Sequence, residues 1–112
     1  MNGLDIDGAL WYEYDLRRDK LIREKHWWPQ AEALVGFINA WQITDETRYA
    51  DAALNCWGFI KKYLLCPTGE WYWGIDENKT ILQEDKAGLW KCPYHNSRAC
   101  IEIINRINLL ID

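Results

Sequence analysis

Phenylalanine is nearly missing from this chain, and so are several features that mark familiar classes of function. Two Phe stand against eight Trp and six Tyr in 112 residues, so the aromatic content sits in rings that carry a polar handle. No run of Lys and Arg exceeds the pairs Arg17-Arg18 and Lys61-Lys62, and 13 basic against 17 acidic side chains leave a net charge of -4. That balance offers no footprint for a nucleic-acid backbone or an anionic membrane, and neither partner is expected. No apolar stretch approaches the length of a bilayer span. The opening Met1-Asn2-Gly3-Leu4-Asp5-Ile6-Asp7 lacks the basic and apolar regions of a secretory leader, so a cytoplasmic location is expected.

Histidine is equally scarce. His26 and His95 each lack a second ligand at close spacing, and Cys56, Cys66, Cys92 and Cys100 show no C-x-x-C pattern. A zinc site needs such clustering, so neither a metal nor another cofactor is expected. The cysteines read as buried free thiols, with Cys56 and Cys100 inside helix-like patterns. What is present is ordinary globular composition, 49% apolar and 27% charged, in one domain at most. A unit this short buries only about 60–70% of its unfolded surface, so any exposed apolar face matters. A buried indole N–H wants a partner, which makes eight Trp costly as filler and suited to a wet pocket as much as to a core.

Apolar residues at Ala31, Leu34, Val35, Ile38 and Trp41 follow helical spacing, with Pro29 placed for a first turn. Thr44-Asp45-Glu46 reads as a cap with first-turn acids for a second helix, whose stripe Tyr49, Ala52, Ala53, Cys56, Ile60, Tyr63 and Leu64 ends before Pro67 and Gly69. The aromatic stretch Gly69 to Asp76, a turn at Glu77-Asn78-Lys79 and the segment Thr80-Ile81-Leu82 predict a β-hairpin. A third helix starts near Asn96, with Ala99, Cys100, Ile103, Ile104, Ile107 and Leu110 as its stripe.

The stretch Gly8 to Asp15 answers Gly69 to Asp76 at an offset of 61, and Trp27 to Glu32 answers Trp90 to His95 at 63. A unit of hairpin, helix and helix is written almost twice over residues 1–112. Units of this kind are completed by stacked neighbours, so the expected architecture is all-α: part of a helical toroid with short β-hairpins on one rim. Such a fragment leaves helix faces uncovered, among them the Ile103, Ile104, Ile107 and Leu110 stripe, and a homo-oligomer is expected.

The segments Lys25-His26-Trp27-Trp28-Pro29-Gln30-Ala31-Glu32-Ala33 and Lys86 to Cys100, with Gly69-Glu70-Trp71-Tyr72-Trp73 between them, resemble the N-acylglucosamine 2-epimerase superfamily, closest to its cellobiose 2-epimerase branch. The resemblance covers nearly the whole chain and corresponds to the C-terminal part of a family member. It implies an (α/α)6 barrel, in agreement with the repeat. It also implies inversion or isomerisation at C2 of an aldose, in which two histidines remove and return the C2 proton through an enediolate. His95 matches one of them; an imidazole serves because its ordinary pKa lies near the working pH. Taken as a residue alone, a single His at a helix start is more often a cap or a packing group.

By the same resemblance Trp28 and Trp90 line the sugar site, and Glu32 faces the cavity, where it bonds sugar hydroxyls or orients a histidine. Glu32 read alone also fits a first-turn carboxylate favoured by the helix dipole. Trp27, His26, Trp71 and Trp73 are assigned to packing. The second catalytic histidine and a substrate-contacting arginine are implied to precede residue 1. Each acid/base group contributes about 10²–10⁴-fold, so the chain alone is expected to be inactive. The expected ligand is a mono- or disaccharide of the mannose, cellobiose or N-acylhexosamine type. An alternative class is a non-catalytic saccharide-binding module using the same aromatic wall. A glycoside hydrolase ranks last, because it needs two carboxylates about the scissile bond and only Glu32 is a good candidate.

Overall fold

Proline has no amide hydrogen to donate, so Pro29 is harmless only in the first turn of a helix, and there it stands in α1 (Trp27–Thr44). The computed structural model describes residues 4–67, 70–82 and 94–111, and for 13–15 and 110–111 the backbone alone. The helix begins two residues before the predicted start because the Trp27 amide donates to the Trp73 carbonyl (2.8 Å), which fixes the entry of the chain. It ends where Asp45 takes a left-handed conformation (φ 57°) and donates its N–H to the Trp41 carbonyl.

Helix α2 (Thr47–Phe59) follows after two residues and packs on α1. The expected Thr44-Asp45-Glu46 cap is corrected here. Thr44 closes α1, its hydroxyl bonding the Ala40 carbonyl at 2.8 Å, and Glu46 stands at the N-cap of α2 without a side-chain cap bond. The predicted apolar stripe of the second helix continues beyond α2 through a π-helical turn, Ile60–Leu64. The Leu65 amide reaches the Ile60 carbonyl at 3.0 Å, and Ile60 and Leu64 are both fully buried. Helix α3 (Tyr94–Ile111) also packs on α1.

Strands are short. β1 (Glu13–Asp15) pairs antiparallel with β2 (Lys20–Ile22), and β3 (Lys25–His26) pairs antiparallel with β4 (Gly74–Ile75). The predicted hairpin forms about its turn, where the Asp76 amide donates to the Thr80 carbonyl and the Leu82 amide to the Gly74 carbonyl, and β4 in addition takes β3 as its ladder partner. The turn at 77–79 does form, with Lys79 at φ 64° and Asp76 Oδ1 accepting from the Asn78 and Thr80 amides, and a single bridge joins Ile75 to Ile81. Gly74 makes the pairing with β3 possible. A Cβ there would collide with the Lys25 carbonyl, so only glycine allows the two backbones to meet. Bridges Leu4 to Leu10 and Leu65 to Trp71 lie 61 positions apart, the spacing of the sequence repeat.

The core joins Trp27, Ala31, Leu34, Val35 and Ile38 of α1 to Ala53, Cys56 and Phe59 of α2, with Ile60, Leu64, Trp71, Ile75 and Ala99 around them. Two polar devices tie the N-terminal segment to it. The fully buried Gln30 amide donates to the Leu10 carbonyl and accepts from the Leu10 amide, both at 2.8 Å, as a neighbouring strand would. Buried Lys25 places Nζ 2.6 Å from both Asp5 and Asp7 and 4.3 Å from the centre of the Trp11 ring. This contact holds the Asp5 carboxyl below its ordinary range, the Lys25 hydrogen bond outweighing the cost of burial. Cys56 and Cys66 are buried and in no disulfide, whereas Cys100 is half-buried and Cys92 lies outside the described residues.

Candidate functional site

Two helix starts build the site. Trp28 and Glu32 are four residues apart at the start of α1, and His95 and Arg98 are three apart at the start of α3, so each pair shares one helix face. Packing of α3 on α1 brings the faces together: His95 Nδ1 stands 2.8 Å from Glu32 Oε1 although the residues are 63 apart in sequence, and Arg98 Nη1 donates to Glu32 Oε2 at 2.8 Å. Trp28 is exposed at 40%, with its ring centre 6.0 Å from that of His95. Tyr94 meets His95 edge-on at 5.1 Å.

Glu32 is held in its charged form. Burial raises its carboxyl, but the His95 hydrogen bond together with the charge and hydrogen bond of Arg98 outweighs that and lowers it below the ordinary value. A carboxylate only accepts, so the hydrogen in the contact sits on His95 Nδ1. A neutral His95 ring then presents Nε2 as its basic nitrogen.

The first turn of α3 is anchored from below. Buried Asn96 donates from Nδ2 to Glu70 Oε1 at 2.9 Å, and the same oxygen accepts from the Trp71 amide. Beside His95 opens a hollow of about 400 Å³ lined by Tyr12, His26, Trp27, Trp28, Trp73 and His95. His26 and Trp71 are buried, as packing groups are; His26 and Trp73 also reach this hollow, which the sequence reading did not foresee.

Glu32, His95 and Trp28 thus share one surface, and Trp90 falls outside the described residues. Sequence reasoning missed Arg98, Asn96 and Glu70. Arg98 had a signal, since it stands one turn after His95 on the same face. Among the described residues no three His, Cys, Asp or Glu side chains gather as a metal site requires, and no helix is long and apolar enough to cross a membrane.

Comparison with known proteins identifies the class. The family model of N-acylglucosamine 2-epimerase matches residues 1–99, and the chain belongs to this family. Cellobiose 2-epimerase of Bacteroides fragilis is 39% identical over 104 residues, which cover 91% of this chain and 26% of that protein. The structure of cellobiose 2-epimerase from Bacillus thermoamylovorans superposes with a TM-score of 0.87 at 39% identity, covering 93% of this chain and 27% of that one. D-mannose isomerase of Marinomonas mediterranea is 28% identical over 103 residues, again 91% of this chain and 26% of the other. The chain spans about a quarter of the length of the curated relatives it matches.

Proposed function

We propose that this chain is the sugar-binding and proton-transferring quarter of a sugar 2-epimerase built as an (α/α)6 barrel, with His95 as one of two acid/base groups. The observation that carries the reading is the contact between Glu32 and His95 beside Trp28. Glu32 fixes the tautomer and the orientation of the ring, leaving Nε2 to take the proton from C2 of an aldose. The C2–H electron pair of the open-chain aldehyde then forms the C1–C2 double bond as the C1=O π pair moves onto O1, giving an enediolate. Return of a proton to the opposite face completes inversion, and that step belongs to a second acid/base group. Trp28 and Trp90 cover the apolar C–H face of a pyranose, as flat aromatic walls do in ligand pockets. Arg98 holds the second oxygen of Glu32 and keeps the carboxylate charged when His95 cycles between its forms.

The test is transplantation. Residues 1–112 replace the matching quarter of the Bacteroides fragilis cellobiose 2-epimerase, and exchange of the C2 hydrogen of cellobiose is followed in deuterated water. The chimera should exchange, and His95→Asn in it should lose at least about 10²-fold in rate. A chimera whose activity ignores His95→Asn contradicts the proposal. Sugar binding by a chimera that never exchanges favours the saccharide-binding module instead.

A further inference from the structure

The helix that carries His95 is held at its first turn by a pair of side chains that stand outside the hollow. Asn96 follows His95 by one residue, about 100° of rotation in a helix, so that while His95 faces Glu32 the Asn96 side chain turns into the body of the fold and is left 6% exposed. Its Nδ2 donates to Glu70 Oε1 at 2.9 Å. That oxygen is itself pinned, because it also accepts from the amide of Trp71, a buried member of the core. The backbone around Glu70 is fixed in turn: the Cys66 amide donates to the Glu70 carbonyl at 2.9 Å and the Tyr72 amide to the Leu64 carbonyl at 2.7 Å, which seats the segment against the end of the π-helical turn.

Two observations tie this pair to His95 rather than to the fold at large. The first repeat fills the same two places with Ala9 and Ala33, 61 and 63 positions earlier, so the architecture closes there without a polar contact. It ties its own helix start through Gln30 to Leu10, whereas the counterpart of Gln30 is Pro93, whose ring has no donor, and the tie has moved to the residue beside His95. The second observation is that Asn96 Oδ1 is buried with no partner among the described residues, a penalty that an apolar residue would avoid and that an amide bears only to keep its donor end on Glu70. His95 needs such a tie. Its side chain is 34% exposed, so packing does not hold the ring, and the contact with Glu32 forms only when the first turn of α3 stands at the right height and rotation. A misplacement of about 1 Å is enough to slow a reaction about 10²-fold.

We propose that Glu70 and Asn96 are positioning residues for the proton transfer. Their hydrogen bond sets the first turn of α3 so that His95 Nδ1 meets Glu32 and Nε2 is left for the sugar. This inference rests on the reading of His95 as an acid/base group.

Nitrogen-15 NMR of the histidine rings in the 112-residue chain tests it, at about pH 8, where the ring is ordinarily neutral. The unmodified chain should carry the His95 hydrogen on Nδ1. Glu70 is only partly buried, so Glu70→Ala removes the contact without hollowing the core, and it should turn His95 into a mixture of the two tautomers. Asn96→Asp, which sets a carboxylate against Glu70, should do the same. Glu70→Gln should keep the Nδ1–H form, since its amide oxygen still accepts from Asn96 and Trp71. Arg106→Ala controls for general loosening: it cuts the bonds of α3 to Asn39 and Gln42 far from His95, and should lower the melting temperature while leaving the hydrogen on Nδ1. If Glu70→Ala and Asn96→Asp keep the tautomer of the unmodified chain, or unfold it outright, or if Arg106→Ala mixes the tautomers as fully as they do, the positioning role is overturned and the sugar site stands. An unmodified chain without the Nδ1–H form overturns the contact between Glu32 and His95, and the sugar-site reading falls with it.

Discussion

Glu32 has a different partner on each carboxylate oxygen, and this gives it a pH signature. Its pKa is lowered, so its contribution to stability is complete above the ordinary carboxyl value and is lost as pH falls through the lower folded value. The melting temperature of Glu32→Gln should therefore lie below that of the parent near pH 6, and the gap should narrow as pH falls below the ordinary carboxyl value. A gap of the same size at every pH would mean that the charge plays no part. Gln30 is a stricter residue. Gln30→Leu leaves the Leu10 amide and carbonyl without their partner and should cost on the order of 3 kcal/mol in urea unfolding. Glu32 and His95 were singled out by the family resemblance of their motifs, and their meeting was legible because equivalent positions of a repeat face one side. Gln30 and Lys25 were not, since their partners Leu10, Asp5 and Asp7 lie 18 to 20 positions away and no periodicity encodes a buried polar contact.

Helices were easier to read than strands, for a physical reason visible in β4. Apolar spacing marks α1, α2 and α3 from their own residues, but the partner of a two-residue strand is chosen by close approach from elsewhere in the chain. Gly74 makes that approach possible and Gly36 plays no comparable part, since a Cβ at Gly36 meets nothing within 4 Å. Gly36→Ala in the middle of α1 should thus stabilise the chain by up to about 1 kcal/mol. Gly74→Ala should destabilise it by about 1–3 kcal/mol by forcing β4 away from β3. Thermal melts by circular dichroism compare the two directly, and shifts of the same sign would contradict the assigned pairing. The π-helical turn was equally hidden: a one-residue offset leaves the apolar pattern of α2 almost unchanged.

At the scale of the molecule, α2 and α3 flank α1 and leave an apolar trough of about 610 Å³ lined by Leu34, Ile38, Trp41, Trp57, Ile103 and Ile104, with Leu54 and Ile104 more than half exposed. Soluble monomers seldom leave more than a few hundred Å² of contiguous apolar surface in water, so the 112-residue chain should associate with itself, and Ile104→Asp should reduce the mass seen by light scattering. A monomer that melts cooperatively would show that the trough needs no cover. This trough and the hollow beside His95 are separate surfaces, and the account stands on sugar choosing the second. The direct measurement is a cellobiose titration followed by NMR of the tryptophan indoles and histidine rings. The account predicts saturable shifts at Trp28 and His95 that weaken in Glu32→Gln, with Trp41 and Trp57 unmoved; shifts confined to Trp41 and Trp57, or none at saturating sugar, would contradict it.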